Sequence, residues 1–317
     1  MPPSTLFESA IQVQPQGSNT YSADLKWEWS VGTAPNGGYI AAIFYRAATT
    51  HFHTKHPKSH TGRARPISMQ LSYIRRCKVG PAVLRVEDIK LGARISLVHV
   101  TLLQEGRPAV AGYLTMSDVM SEIGISIPKN WDVCGLSLGS PPLEDNNRSE
   151  WKKVIIPHPE FRRASSRVEL YDRADRSTLS KGVGQWARLR PQGPSGKVEA
   201  WTMESVAFLC DILSTVLGPL ERTVQESKRL PAAVAGEPVP VWFPTLAFNI
   251  DFKRCAFTGS HEWLFSHLNI KSVQNGRMDV EVVIVDTAGE LVAVATQVAL
   301  VMSSERNLAK RSTNGKL

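Results

Sequence analysis

The chain has 317 residues, of which 42 % are hydrophobic. It can therefore form one large domain or two moderate ones around a substantial core. Its Lys and Arg residues exceed its Asp and Glu residues by 8, an excess that attracts nucleic acid, an anionic membrane or a phosphate-bearing small molecule. Because no basic run is interleaved with aromatic residues, we expect no nucleic-acid ligand.

The N-terminal residues lack a charged segment followed by an apolar one, and no apolar run approaches the length of a membrane span. The four cysteines are far apart and form no C-x-x-C pair, so neither a zinc site nor a disulfide framework is expected. We predict a cytoplasmic protein. The C-terminal Gly315-Lys316-Leu317 approximates the peroxisomal S-K-L signal, which leaves a peroxisomal location as the alternative.

The first strong pattern is TAPNGGYIAAIFYRAATTHF, residues 33–52. Apolar residues at helical spacing predict a long buried helix that begins near Asn36-Gly37-Gly38. Glycine lets another group approach the backbone closely, so a ligand is predicted to lie against this turn. The alternative is a turn with close packing of the helix against a sheet.

Four histidines follow in HFHTKHPKSH, namely His51, His53, His56 and His60. Their spacing is irregular, and no acidic residue or cysteine is near them in sequence. We therefore interpret the segment as the loop after the helix and expect no metal site.

The chain contains an internal duplication. The alternating strand in 65–77 matches the one in 243–255 at an offset of 179, and the hairpin in 92–116 matches 275–300 at an offset of 183. A one-residue slip would turn every side chain to the other face, so the alternation fixes the first offset. Each half combines one long helix with antiparallel strands, which predicts an α+β fold.

The helix of the second half is predicted over residues 202–220, ending at Gly218-Pro219. A segment rich in Pro, Ser, Gly and Asn separates the halves. We accordingly expect a first unit over 1–120, a linker over 121–150, a second unit over 151–304 and a tail over 305–317.

The linker contains GLSLG, which fits the G-x-S-x-G nucleophile elbow. That motif requires a helix after the serine, but two prolines, Pro141 and Pro142, follow and cannot open a regular helix there. Ser137 is therefore not expected to be a nucleophile.

In order and spacing these segments resemble the type II acyl-CoA thioesterases and their fungal thioesterase-like relatives. Residues 27–116 resemble the first hotdog unit of that family and residues 184–301 the second. The resemblance implies a double hotdog fold, in which each of two tandem units wraps an antiparallel sheet around a long helix. It also implies no cofactor, an acyl-CoA or acyl-carrier substrate, and a homo-oligomer.

In that family an Asp on the second helix, a Thr at the start of the next strand and a Gln on the last strand hold the attacking water. By resemblance these positions are Asp211, Thr245 and Gln297. Many members carry an acidic residue and a histidine shortly after the Thr, where this chain has Ala247 and Phe248.

These assignments lead to a specific hypothesis. Asp211 is the general base, and Thr245 and Gln297 position water. Asn36, Gly37, Gly38 and Tyr39 contact the substrate, with the amides of the two glycines polarising the thioester carbonyl.

Two alternatives stay open. The same pocket could release, cyclise or dehydrate an intermediate of a polyketide or fatty-acyl pathway, or it could bind acyl groups without catalysis. A set of arginines is interpreted as a solvated surface, with contact to coenzyme A phosphates as the alternative: Arg162, Arg163, Arg167, Arg173 and Arg176.

Overall fold

The structure is a computed structural model. It describes residues 6–57, 63–118, 122–127, 138, 141–142, 151–173, 182–191, 198–226, 240–254, 257 and 260–308. Ser137, most of the predicted linker, His60, Arg176 and the C-terminal tripeptide lie outside the described residues.

The described residues form five α-helices and seventeen strands. The helices are α1 (Phe7–Ala10), α2 (Gly37–Lys55), α3 (Met203–Leu209), α4 (Ser214–Glu226) and α5 (Glu305–Leu308). The strands of the first half are β1 (Gln14–Pro15), β2 (Thr20–Leu25), β3 (Ser30–Val31), β4 (Ala34–Pro35), β5 (Arg65–Tyr73), β6 (Gly80–Lys90), β7 (Ile95–Gln104) and β8 (Arg107–Ser117). Those of the second half are β9 (Trp151–Lys153), β10 (Val168–Arg173), β11 (Val183–Leu189), β12 (Val241–Trp242), β13 (Thr245–Phe252), β14 (Leu264–Gln274), β15 (Arg277–Val285), β16 (Leu291–Leu300) and β17 (Met302–Ser303).

Thirteen of these strands form one antiparallel sheet in the order β1-β2-β6-β7-β8-β5-β13-β16-β15-β14-β11-β10-β9. The order on one side of the β5–β13 junction repeats on the other, because β2-β6-β7-β8-β5 has its counterpart in β11-β14-β15-β16-β13. The predicted double hotdog fold is confirmed, and the two units share a continuous sheet.

The strand register supports the duplication in detail. Met69 pairs with Leu114 across β5 and β8, and Phe248 pairs with Gln297 across β13 and β16. These pairs are equivalent when β5 maps onto β13 at the predicted offset of 179 and β8 maps onto β16 at 183. Gln297 therefore occupies the place that Leu114 has in the first unit.

A β-bulge recurs at equivalent places in the two units. It lies between Pro66 and Ser68 in β5 and between Thr245 and Ala247 in β13. Thr245 consequently corresponds to Pro66, as the offset of 179 predicts. A bulge redirects nearby side chains, and here it sits beside a predicted site residue.

Helix α2 lies almost wholly inside the molecule. Twelve of its residues are buried, among them Tyr39, Phe44 and Phe52. Such an all-round apolar helix fits only where a sheet and other helices cover every side. Its first turn packs closely against α3, because a Cβ on Gly38 would lie only 2.8 Å from the Phe208 carbonyl oxygen.

The predicted helix over 202–220 is wrong in one respect, because it is broken between Leu209 and Ser214. Gln185 on β11 lies beside the break. Its Nε2 donates to the Ile212 carbonyl at 3.2 Å, and its Oε1 accepts from Thr215 Oγ1 at 2.6 Å. These side-chain bonds satisfy backbone and hydroxyl groups that a continuous helix would arrange differently.

The predicted stop at Gly218-Pro219 is also wrong, since α4 continues through Pro219 to Glu226. A proline removes only one helix hydrogen bond, and Glu221 anchors this helix. Its carboxylate accepts from Val241 N at 2.6 Å and from Arg162 Nη2 at 2.8 Å.

Within the described residues, Met203–Val224 is long and apolar enough to span a membrane by length and composition, and 67 % of its most apolar window is buried. The break between α3 and α4 falls inside this segment, and its apolar side chains pack in the core.

Candidate active site

Asp211 lies in the break between α3 and α4, and hydrogen-bond donors surround its carboxylate. Oδ2 accepts from Asn36 Nδ2 at 2.8 Å and from the Gly38 amide at 2.9 Å. Oδ1 accepts from Gln297 Nε2 at 2.8 Å. The carboxylate is thus held by α2 on one side and by β16 on the other.

Gln297 joins the other two residues that the resemblance predicted. Its Nε2 also lies 2.6 Å from Thr245 Oγ1, so Asp211, Gln297 and Thr245 form one connected set. Gln297 is only 4 % exposed. Its buried Oε1 accepts no hydrogen bond from the described residues, and a buried acceptor needs a donor.

The environment raises the pKa of Asp211 to about 6, chiefly because burial disfavours the charged carboxylate. Hydrogen bonds from Gly38, Gln297, Asn36 and Gly37 limit this increase by favouring the ionised form. A carboxyl group with a pKa close to neutral can exchange a proton with a substrate at physiological pH.

Asn36 has two functions at the start of α2. Its Oδ1 accepts from the Tyr39 amide at 2.9 Å, which makes it the N-cap of the helix. Its Nδ2 donates to Asp211. Asparagine can do both at once because its side-chain amide has an acceptor oxygen and a donor nitrogen. An aspartate cap would instead place a second negative charge against Asp211.

The two glycines at this turn have different surroundings. A Cβ on Gly37 would lie 3.0 Å from Asp211 Oδ2, 3.2 Å from Thr245 Oγ1 and 3.5 Å from Tyr73 Oη. A Cβ on Gly38 would lie 2.8 Å from the Phe208 carbonyl oxygen and 2.7 Å from Asp211 Cβ. Gly37 therefore borders the polar site, whereas Gly38 permits close packing of α2 against the end of α3.

Two predicted contacts differ in the structure. The Gly38 amide, predicted to polarise a substrate carbonyl, instead donates to Asp211 and orients the proposed base. Tyr39, predicted to contact substrate, is fully buried; its hydroxyl donates to the Ala10 carbonyl at 2.7 Å. The apolar spacing of α2 places Tyr39 on a face that packs against Trp29.

Sequence reasoning missed Tyr73 as a site residue. Its hydroxyl, at the end of β5, donates to the Gly37 carbonyl at 2.6 Å. Burial raises the pKa of Tyr73, and the nearby Asp211 raises it further, so the phenol stays protonated. The sequence shows only that Tyr73 ends a strand with alternating apolar residues. That pattern alone does not distinguish a site residue from a core residue.

A cavity of about 760 Å³ opens beside this set of polar groups. Asn36, Gly37, Tyr73, Asp211, Thr245 and Gln297 all border it. Much of the remaining wall is apolar and comes from both units; it includes Leu213, Leu217, Trp242, Phe243, Met278 and Met302. Three arginines also line the cavity: Arg75, Arg76 and Arg162.

The predicted solvated arginine surface is wrong for Arg162, the one buried member among those described. Arg162 is only 5 % exposed and pairs with the buried Glu221. Arg163 stacks 3.4 Å from the centre of the Trp27 ring. Arg167 and Arg173 are half-buried. An ion pair accounts for Arg162 and ring stacking for Arg163. Among the described arginines of this set, Arg162 alone borders the cavity.

No acidic residue is near the histidine segment in sequence, but the fold brings one to it. Asp88 on β6 lies 3.1 Å from His51 Nε2 and 3.2 Å from His56 Nε2. The sheet brings this carboxylate to the end of α2 although it is distant in sequence. His53 is exposed.

Two cysteines are described, and both are buried free thiols, Cys77 and Cys210. Burial raises the pKa of the Cys77 thiol to about 12 and that of Cys210 also well above its ordinary value. Neither thiol is therefore ionised near neutral pH, as a cysteine nucleophile requires.

Comparisons with known proteins agree with this architecture. Residues 25–117 match the acyl-CoA thioesterase N-terminal domain, and residues 140–301 match the acyl-CoA thioesterase C-terminal domain. The chain is 27 % identical to the thioesterase-like protein TwmA of Talaromyces wortmannii, over 99 % of this chain and 97 % of that protein.

Solved structures show the same fold. A proposed thioesterase II from Thermobifida fusca YX superposes with a TM-score of 0.67 at 23 % identity, covering 95 % of this chain and 99 % of that one. Acyl-CoA thioesterase II TesB2 from Mycobacterium marinum gives a TM-score of 0.62 at 18 % identity, over 94 % and 98 % of the two chains. The two domain matches span most of the sequence, and the chain therefore belongs to the acyl-CoA thioesterase family and is a thioester hydrolase.

Proposed function

We propose that the enzyme hydrolyses acyl thioesters of coenzyme A or of a carrier protein with a water molecule that Asp211 activates. The observation that carries this proposal is the connected set of Asp211, Gln297 and Thr245 at the wall of the cavity. Within this set, Asp211 is the general base, while Thr245 and Gln297 position the water.

The hydrogen-bond pattern supports a water bound at this place. Asp211 Oδ1 has accepting capacity beyond its bond to Gln297. Gln297 Oε1 is a buried acceptor without a donor among the described residues. Thr245 Oγ1 accepts from Gln297, so its own proton is directed elsewhere. A single water can donate to these acceptors and keep a lone pair for attack.

The reaction balances with these groups alone. The water oxygen forms a bond to the thioester carbonyl carbon while one water proton moves to Asp211. The resulting tetrahedral intermediate then breaks its carbon–sulfur bond, and Asp211 returns the proton to the departing thiolate. The products are a free carboxylic acid and a thiol.

The cavity suggests how the substrate lies. Its apolar wall, which includes Leu213, Trp242 and Met278, suits an acyl chain. Arg75 and Arg76 border the same cavity, and guanidinium groups match the phosphates of coenzyme A or of a phosphopantetheine arm. The thioester would then lie over Gly37, where no Cβ obstructs it.

The test is turnover by purified wild-type protein and by Asp211→Asn on acyl-CoAs of several chain lengths. We expect release of free thiol and free acid, and a fall in kcat of about 10²–10⁴-fold in the variant. Asp251→Asn is the matched control, because Asp251 is exposed on β13, the strand that begins with Thr245.

Mass spectrometry of the acyl product separates the alternatives. A product other than the free acid would favour a different pathway reaction, and binding without release would favour a silent acyl-binding protein. Wild-type rates in Asp211→Asn would remove Asp211 from the mechanism.

A homo-oligomer, a cytoplasmic location and a peroxisomal signal in the last three residues stay predictions. Light scattering of the purified chain tests the first. Localisation with and without the C-terminal tripeptide tests the others.

A further inference from the structure

Three potential metal ligands meet at the end of α2 that is remote from Asp211. His51 is in the last turns of the helix, His56 is its C-cap residue, and Asp88 is on β6. Since α2 rises about 1.5 Å per residue, His51 and His56 lie roughly 20–30 Å along the helix axis from Gly37. This cluster is therefore separate from the thioesterase site.

Asp88 is an acidic residue on a row of β6 that otherwise faces the core. Ala82, Leu84 and Val86 precede it at alternate positions, and all three are buried. A β-bulge follows immediately, between Asp88 and Lys90. An inward carboxylate at this place requires partners, and its two oxygens lie 3.1 Å from His51 Nε2 and 3.2 Å from His56 Nε2.

A hydrogen bond to its other ring nitrogen, Nδ1, fixes the orientation of His51. Its side chain is fully buried, and its Nδ1 lies 3.0 Å from the hydroxyl of the buried Tyr21. Nε2 consequently points at Asp88. Metal-binding histidines typically use the second ring nitrogen in this way, because a hydrogen bond there sets the tautomer.

We propose that His51, His56 and Asp88 bind one divalent transition-metal ion, of the Zn²⁺ and Co²⁺ class. One ligand atom from each residue lies within 4.8 Å of the others. A tetrahedral ion with bonds of about 2.0–2.1 Å needs ligand atoms roughly 3.3 Å apart, so small side-chain rotations complete the site. Two imidazoles and one carboxylate favour this class of ion over Mg²⁺ or Ca²⁺.

Proton balance is maintained when the ion binds. In the metal-free protein the two Nε2–H groups donate to the carboxylate of Asp88. On binding, the Nε2 proton of His51 moves to Nδ1, which then donates to the Tyr21 hydroxyl, and the Nε2 proton of His56 moves to its own Nδ1, so both imidazoles stay neutral. The side chains of His56 and Asp88 are 20 % and 27 % exposed, so the ion can enter from solvent and a water can complete its coordination. The bound ion would clamp the C-terminal end of α2 to β6.

The experiment uses the full chain without a histidine tag, first stripped with a chelator that is then removed. Co²⁺ is titrated and followed by its visible absorption, and Zn²⁺ is titrated by calorimetry. We expect one ion per chain and a rise in the thermal midpoint of roughly 5 °C at saturating Zn²⁺. Both effects should disappear when chelator is added again.

Variants locate the ion. His56→Ala and Asp88→Asn, whose side chains are both partly exposed, should each weaken Zn²⁺ binding by at least tenfold. His53→Ala is the matched control, since His53 is exposed on the same helix, and it should bind as the wild type does. Circular dichroism of each variant verifies the fold. Failure to observe saturable one-to-one binding, or unchanged binding in folded His56→Ala, would overturn the proposal.

Discussion

Asp211 combines a charge that the proposed mechanism needs with surroundings that disfavour that charge. Burial raises its pKa to about 6, well above the ordinary value of an aspartate, and hydrogen bonds from α2 and β16 keep the increase moderate. The N-terminus of α2 adds its dipole to these donors, because the Gly38 amide points at the carboxylate. The result is a carboxylate that is mostly ionised at pH 7 yet basic enough to take a proton from water.

The pH dependence of turnover follows from this pKa. Only ionised Asp211 can act as a base, so kcat/KM should rise with pH, reach half of its plateau near pH 6 and then level off. Chromatographic measurement of acyl-CoA loss between pH 4.5 and 8 checks this. An acid limb centred near pH 4 would show that Asp211 titrates as an ordinary exposed carboxyl group.

The pH dependence of the free energy of unfolding provides an independent measure of the pKa of Asp211. Its folded-state pKa is raised, so its contribution to stability is complete below about pH 3.8 and is lost as pH rises through about 6. The free energy of unfolding of the wild type relative to Asp211→Asn should therefore decline over that range.

Asn36 permits a sharper test, because capping and charge can be separated there. Asn36→Ser retains an N-cap oxygen but removes the donor to Asp211. Asn36→Asp retains the cap and adds a like charge beside Oδ2. We expect the apparent pKa of kcat/KM to increase by roughly one unit in Asn36→Asp and by less in Asn36→Ser. A wild-type pH profile in Asn36→Asp would contradict the assigned contact.

At the scale of elements, the site depends on close contact between α2 and the end of α3. Gly38 faces the Phe208 and Ala207 carbonyl oxygens, at 2.8 and 2.9 Å from the position of an added Cβ. Backbone atoms cannot rotate away as a flexible side chain can. Gly38 therefore permits the close packing of the two helices, and Gly37 leaves room for the substrate at the site.

Two single alanine substitutions distinguish these functions. Gly38→Ala should lower the free energy of unfolding by about 1–3 kcal/mol through overpacking. Gly37→Ala meets only side-chain oxygens, so it should fold normally but lower kcat/KM by about 10- to 100-fold, because its methyl group enters the reaction site. Chemical denaturation and steady-state kinetics on both variants check the contrast, and equal stability losses would argue against it.

The sequence predicts elements better than it predicts their interruptions. Alternation identified the duplicated strands and their offsets, since period-two burial is a local property. The break at Cys210–Leu213 was not predictable, because the apolar pattern of residues 202–220 continues through it. The residue that satisfies the backbone at the break is Gln185, on a different strand, whose amide donates to the Ile212 carbonyl.

The same limit applies to the candidate site. Asp211, Thr245 and Gln297 were assigned by family resemblance, and the structure brings them together. The roles of Asn36, Gly38 and Tyr73 depend on contacts between elements, which a single sequence does not specify. Local signals marked the turn at residues 36–38 as unusual but did not distinguish a donor to substrate from a donor to the base.

At the scale of the molecule, the two units differ at the positions of the candidate site. Leu114 and Pro66 occupy the places of Gln297 and Thr245 in the first unit, so that unit lacks both polar groups. It instead supplies Asn36 and the glycine turn to the site of the second unit. The continuous sheet across β5 and β13 keeps these contributions in register, so neither unit is expected to be active alone.

The C-terminal helix α5 makes a further link between the units, through the fully buried Asn307. Its Oδ1 accepts from the Thr33 amide at 2.7 Å, and its Nδ2 donates to the Val31 carbonyl at 3.0 Å. Between these residues Gly32 has a φ of +60°, and a Cβ there would lie 2.0 Å from Asn307 Oδ1. Asn307 therefore fixes the loop that leads into the N-cap of α2.

Asn307→Ala should destabilise the protein by roughly 2–4 kcal/mol, because two buried backbone groups lose their partners. It should also lower kcat, since the loop that carries Asn36 is released. Leu308→Ala is the matched control: Leu308 is the next residue of α5 and is 52 % exposed, so its truncation should change neither quantity appreciably. Denaturant unfolding and steady-state kinetics measure both quantities. Equal free energies of unfolding and equal kcat values in the two variants would show that α5 merely covers the surface. A fall in kcat together with the fall in stability would instead show that α5 fixes the turn through which the first unit holds Asp211.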